Sequence, residues 1–458
     1  MKNKLLIIIL CLFATSCHHR EIFYYGAPTQ LPGVIKDMKT PGFWISKIQY
    51  PDKILLNENE IKDLNLSIIE KSEALKDIGK FDTTIKNDDI KNKIIELFDY
   101  SKNEDLYIVT GENSKKITAK YYKNILKNMD TGNISDKVFV KFGIINHYSN
   151  QRYIPTNDQL NDIPGELFFD QIQISGLDVG TPAAVLHESL DKNWFFICSP
   201  IATFGWIEKK YINLCNKKEM DSYINPENFI ISVEPKTEIF LNKERTNYYD
   251  YVKMGTKLPY KVIDNSDIIE ILLPSSDENS NFKIISGFVQ KNRINFGYIP
   301  YTQRNIIEQA FKLLNTPYGW GDMFGEQDCS RFICEIFASF GIILPRNSGD
   351  QAKTGNICGE FNEETPVNEK LNVIKEKVLP GVTLLRRNGH IMLYLGLCND
   401  KPYIIHDTWA YSKKLGFKEE TILINKVVVT DLFLLGENTK SGSPIEKINV
   451  ITNILLPD

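Results

Sequence analysis

Asp328-Cys329-Ser330-Arg331-Phe332-Ile333-Cys334-Glu335-Ile336-Phe337 is the stretch whose reading decides the fold of the C-terminal third. A polar, glycine-containing loop ends at Asp328. From Phe332 an apolar stripe follows at helical spacing: Phe332, Ile333, Ile336, Phe337 and Phe340. The spacing predicts a helix from near Cys329 to Phe340, with Cys329 in its first turn. A sulfur there faces the positive end of the peptide dipoles, so its thiolate is favoured and its pKa is expected to fall. The unpaired N–H groups of the same turn can hold an oxyanion. Cys334 lies in the helix body and has the ordinary fate of cysteine, a small buried residue.

Working outward, Ile306, Ile307, Ala310, Phe311 and Leu314 predict a helix over 303–315. Thr316-Pro317-Tyr318-Gly319-Trp320-Gly321 breaks it. Strands are expected at 382–385, 390–397, 403–406 and 421–429. A helix followed by antiparallel strands is an α+β domain, placed at 301–458. The chain holds 6 histidines, and two fall in this domain. His390 opens one strand and His406 closes the next. In an antiparallel hairpin those two ends are neighbours. His390 then accepts the proton of Cys329, and His406 holds the His390 ring through its second nitrogen. Taken alone, each histidine reads as structural. The order Cys, His, His within one domain is what points to nucleophilic catalysis.

Further upstream, short strands with Gly, Pro and Asp-Lys-Asn turns occupy 136–222, closing on Gly205-Trp206-Ile207. A fainter echo closes on Gly297-Tyr298-Ile299. Two small all-β barrels, at 136–222 and 223–300, fit this outline, with Trp194 and Trp206 in barrel cores. Helical spacing at Ile61, Leu64, Ile68 and at Ile90, Ile94, Leu97 marks a mainly helical region within 18–135, preceded by an extended segment over about 18–50. The first residues read as a targeting signal. Lys2 and Lys4 precede an apolar run from Leu5 to Ala14, too short to span a bilayer. Ala14, Thr15 and Ser16 then lead to Cys17. This is similar to a bacterial lipoprotein signal over 1–17, with Cys17 as the lipidated residue; a plain secretory signal is the alternative. Either reading exports the protein to the cell envelope.

The composition, 42% hydrophobic and 24% charged with net charge −4, is that of a globular chain. It carries no basic excess that would suit nucleic acid. The 8 cysteines are sparse and include no Cys-x-x-Cys pair, so neither a disulfide framework nor a zinc site is indicated. No cofactor or metal is expected, because acidic residues do not cluster with the histidines at ligand spacing.

Residues 301–410 resemble the NlpC-type cell-wall cysteine peptidases, a papain-like fold. The resemblance rests on Thr316 to Gly321, Asp328-Cys329-Ser330, Leu344 to Gln351, Gly389 to Gly396, and Ile405-His406. Val382 stands where the family commonly has Asp. The resemblance implies that Tyr318 helps bind the oxyanion, and that Asp328 and Ser330 contact the substrate's amino end. The upstream region is similar to one branch of that family, with a helical N-terminal segment and two bacterial SH3-like barrels. In that branch the first barrel walls off the site. The substrate then needs a free amino terminus, typically L-alanine before γ-D-glutamate, and cleavage falls between γ-D-glutamate and the diamino acid. Tyr153 is the barrel residue put forward for substrate contact, with a core aromatic as the alternative. The expected partners are peptidoglycan peptides or muropeptides, and a membrane through a lipid anchor only, for a monomeric chain. Two rival readings stay open: an inactive peptidase-like wall-binding lipoprotein, and an amidase or acyl transferase using the same site.

Overall fold

The computed structural model describes residues 31–457, apart from 104, 111–112, 202, 262–265, 416–417 and 435–441. The expected signal, Cys17 and residues 18–30 lie outside the described residues. The fold class is the expected one: an α+β papain-like domain follows all-β SH3-like domains and a helical N-terminal region.

Three helices dominate the N-terminal region: α1 Glu58–Lys71, α2 Asn87–Ser101 and α3 Ala119–Asn128. Asn57 starts α1 with a capping box, its side chain taking the amides of Asn59 and Glu60 while Glu60 takes the Asn57 amide. The helices do not form a separate unit. Ile90, Ile94 and Phe98 of α2 share one apolar core with Phe142, Ile144, Phe196 and Trp206 of the first barrel. Strand pairing also crosses residue 135, with Thr84–Lys86 antiparallel to Lys137–Phe139. Helical region and first barrel therefore bury their surfaces together.

The first barrel is built on a seven-stranded antiparallel sheet. Its order is Ile212–Cys215, Lys141–Ile145, Pro182–Glu188, Trp194–Ser199, Thr203–Glu208, Ser149–Arg152 and Gln173–Leu177. Trp194 and Trp206 are both buried there. The second barrel has two smaller antiparallel sheets over 229–296, around Ile230, Ile239, Val252, Leu258 and Ile271.

The C-terminal domain carries α4 Gln303–Lys312, α5 Cys329–Ala338 and α6 Val367–Glu376. Its strands are β1 Asn356–Glu360, β2 Thr383–Arg387, β3 His390–Cys398, β4 Lys401–Leu415, β5 Lys418–Asp431 and β6 Val450–Asn453. They form a six-stranded antiparallel sheet in the order β1-β6-β2-β3-β4-β5. Helix α5 packs on β3 and β4, with Phe332, Ile333, Ile336 and Phe337 fully buried. The segment over 31–56 packs on this domain, and not as the plain extended chain expected over about 18–50. A one-turn helix at Pro41–Ile45 buries Trp44 completely. Its indole N–H donates to the Met38 carbonyl at 2.8 Å, and its ring lies 5.3 Å from that of Tyr403.

Candidate active site

Asp328 is the N-cap of α5, accepting the amides of Ser330 and Arg331 at 3.1 and 3.0 Å. This cap fixes where the helix begins and puts Cys329 in its first turn. The residue is only 7% exposed. Burial pushes the thiol up to about 12, and the Asp328 charge acts in the same direction, against the Ile391 amide. The expectation of a lowered pKa at the helix terminus is therefore corrected. Desolvation outweighs the dipole here, and the resting sulfur is a thiol.

His390 and His406 meet across the β3–β4 ladder, where Leu393 pairs with Ile405. Their nitrogens His390 Nε2 and His406 Nδ1 are 2.7 Å apart, and His406 Nε2 is 3.1 Å from Thr430 Oγ1 on β5. Both rings are buried. Burial, then each other's charge and that of Arg387, hold His390 well below the ordinary imidazole value. Burial and Arg387 bring His406 to about 3. Two neutral imidazoles in contact need one donor and one acceptor. If His390 Nδ1 is the acceptor for the thiol proton, Nε2–H donates to His406 Nδ1, and His406 Nε2–H donates to Thr430. The chain of donors then ends on a hydroxyl. Neither Thr430 nor Arg387 stood out in the sequence. Arg387 pairs in register with His390 across the hairpin turn, and the pattern that marked His390 as a strand start gave it no distinction.

Tyr318 packs beside Phe169 and Trp409, at 6.4 and 6.1 Å between ring centroids. Burial, then Asp328 and Cys329, keep its phenol protonated. Asp328 and Ser330 have more partners than the sequence disclosed. Arg346 grips both Asp328 oxygens, Nη1 to Oδ1 at 3.0 Å and Nη2 to Oδ2 at 2.8 Å, and donates to Ser330 Oγ at 2.8 Å. The Gly321 amide adds a further bond to Asp328 Oδ2. A substrate ammonium would join a carboxylate already held on both oxygens. Tyr153 lies tilted against Tyr100 at 4.9 Å between ring centroids and lines, with Arg346, a cleft of about 600 Å³. Asp407, beside His406, is fully buried with both carboxyl oxygens unpaired, and burial raises its pKa well above the usual range. Among the described residues no group of His, Cys, Asp and Glu could hold a metal ion.

A papain-like domain bearing a cysteine at a helix start, its sulfur at the backbone of Ile391 next to the paired His390, behind an SH3-type barrel, defines the class. Residues 315–419 match the NlpC/P60 family, and residues 162–208 match the SH3 domain of SH3b1 type; the chain carries both domains. Two curated relatives are both named gamma-D-glutamyl-L-lysine dipeptidyl-peptidase. One, from Bacillus subtilis (strain 168), is 36% identical over 17% of this chain and 28% of its own length. The other, from Bacillus cereus (strain ATCC 10987 / NRS 248), is 27% identical over 33% of this chain and 44% of its own. The chain thus matches less than half the length of either. A solved structure described as a novel NlpC/P60 endopeptidase from Photobacterium damselae subsp. piscicida covers 90% of this chain and 96% of that one. Its TM-score is 0.68 and its identity 21%, a likeness of fold.

Proposed function

We propose that the chain is an exported cysteine peptidase of the cell envelope that cuts peptidoglycan stem peptides, at the bond between γ-D-glutamate and the diamino acid of muropeptides with a free N-terminal L-alanine. The observation that carries this reading is Cys329 at the start of α5 with its sulfur at the backbone of Ile391, the residue after the His390 that heads the His390–His406–Thr430 chain. Because thiol and imidazole both rest neutral, the proton of Cys329 passes to His390 as the sulfur attacks the amide carbon. The tetrahedral oxygen is stabilised by the Tyr318 phenol and by the backbone amide of Cys329, since Asp328 takes the amides of Ser330 and Arg331. His390 then protonates the leaving amine, and water resolves the acyl-enzyme. The growing imidazolium is stabilised because its Nε2–H already points at His406. Arg387 opposes that charge and favours the thiolate. Asp328 and Ser330 face the substrate's amino end, and Cys17 anchors the chain by lipid; both stand as parts of the proposal. The names of the two curated relatives support the choice of bond.

The decisive experiment is Cys329→Ala, assayed on L-Ala-γ-D-Glu-diaminopimelate by mass spectrometry of the products. The variant is expected to release the free diamino acid at least about 10³-fold more slowly than the wild type. A variant that keeps wild-type turnover removes Cys329 from the mechanism.

A further inference from the structure

Residues 320–326 form a turn between Tyr318 and Cys329, and its backbone is unusual. Gly321, Asp322, Phe324 and Gly325 all have positive φ, at 59°, 69°, 60° and 70°. Two of the four are not glycine, and such residues persist only where their surroundings hold them. The turn sets the distance between two proposed reacting parts. Its start is fastened to its end, with the Gly319 amide on the Gln327 carbonyl at 2.8 Å and the Gly321 amide on Asp328.

Both barrels grip this turn. From the first, Ser175 Oγ and the Gly176 amide donate to Asp322 Oδ2 at 2.8 and 2.9 Å. Tyr148 donates to the Asp322 carbonyl at 2.8 Å, and Gln173 to the Gly321 carbonyl at 3.0 Å. From the second come three more contacts. Lys253 Nζ lies 3.3 Å from Asp322 Oδ1, 3.0 Å from the Glu326 carbonyl and 3.1 Å from Glu335 Oε1 on α5. Its side chain is 1% exposed. Lys236 pairs with Glu326 at 2.6 Å. Gly255 (φ +81°) sits so close to α5 that a Cβ there would meet Ala338 Cβ at 2.6 Å. Asp178 and Arg331 close the network at 2.5 Å.

We infer that the second SH3-type barrel is part of the active centre, with Lys253 as a positioning residue that locks the 320–326 turn and so fixes Tyr318 relative to Cys329. A buried lysine bridging a turn and the nucleophile helix has no use in a barrel that serves only to bind the wall. Losing its charge leaves Asp322 and Glu335 buried against fewer cations. The turn then gains freedom, and oxyanion stabilisation, which is realised in the transition state, suffers more than substrate binding.

The inference rests on the peptidase reading, and its test separates the two. Full-length Lys253→Met, Lys253→Arg and Lys236→Met are compared with wild type by kcat and KM on the tripeptide, and by deuterium uptake of the 319–327 peptide. Lys253→Met is expected to lower kcat about tenfold or more with KM within about threefold, and Lys253→Arg to restore most of it. Uptake at 319–327 should rise while the 268–290 hairpin stays unchanged. If Lys253→Met does not fold, Lys236→Met decides, since that side chain is 36% exposed; raised uptake at 319–327 and a kcat about threefold lower are then expected. Unchanged uptake with kcat within about twofold in a folded variant overturns the clamp. A wild type that releases no product overturns the peptidase reading, and the uptake comparison still decides the clamp.

Discussion

Two imidazoles in a dry site are an electrostatic liability at acid pH. His406 sits at about 3 in the folded chain, against 6.5 for the ordinary group. Above pH 6.5 neither folded nor unfolded chain carries that proton, and the fold keeps its full stability. Below it the unfolded chain takes a proton that the folded one refuses, so stability falls by about 1.4 kcal/mol per pH unit as pH drops toward about 3. His406→Gln should abolish this contribution. Urea unfolding at about pH 6.5 and about pH 5.5 would then show a smaller acid loss in the variant than in the wild type. Equal losses would mean that His406 is not held neutral. The same substitution removes the ring that receives the His390 Nε2–H, so turnover should fall about 10- to 100-fold. The pair itself was legible in the sequence, because a strand start and the next strand's end are adjacent by hairpin geometry alone. The thiol pKa was not, because a helix dipole is a local property while burial of the sulfur depends on everything packed over it.

At the scale of elements, what was readable is what repeats within a few residues. The apolar stripe of α5 and the strands around His390 and His406 emerge where their spacing put them. The C-terminal segment shows the opposite case. From sequence, residues 438–458 had no assigned role, yet β6 lies between β1 and β2, pairing Thr452 with Leu384 on one side and with Ile357 on the other. Ile451 and Ile454 are fully buried, and Thr452 Oγ1 donates to the Thr354 carbonyl at 2.6 Å. Four residues are too few for a periodic signal, and their partners lie on strands far back in the chain, at 356–360 and 383–387. The Arg346 grip on Asp328, 18 positions apart, was hidden because no local periodicity links a loop arginine to a helix cap. Deleting residues 449–458 would open two strand edges inside the sheet and empty the core around Met392 and Ile404. The truncated chain is expected to lose soluble expression and its cooperative thermal transition. A soluble truncation with wild-type melting would show that β6 is dispensable.

Across the whole molecule, the C-terminal domain depends on parts of the chain far upstream. Within it, buried Asp322, Asp328 and Glu335 pair with Arg331 and Arg346. Lys253 of the second barrel completes the cations, and Asp178, Ser175 and Gly176 of the first complete the hydrogen bonds. The segment over 31–56 contributes Leu31, Val34 and Trp44 to the same apolar core as Phe332 and Ile405. Excising residues 297–458 would strip all of these at once, uncovering apolar surface and leaving Asp322 and Glu335 without Lys253. Such a loss of buried charge partners costs about 3–5 kcal/mol, a large part of the stability of a domain this size. The fragment is therefore expected to aggregate or to melt without a cooperative transition, and to show no peptidase activity. Scanning calorimetry and the tripeptide assay on the purified fragment check this. A fragment that unfolds cooperatively and turns over substrate like the full chain would make the barrels mere appendages, and the positions of Lys253 and Asp178 would then have no bearing on the chemistry.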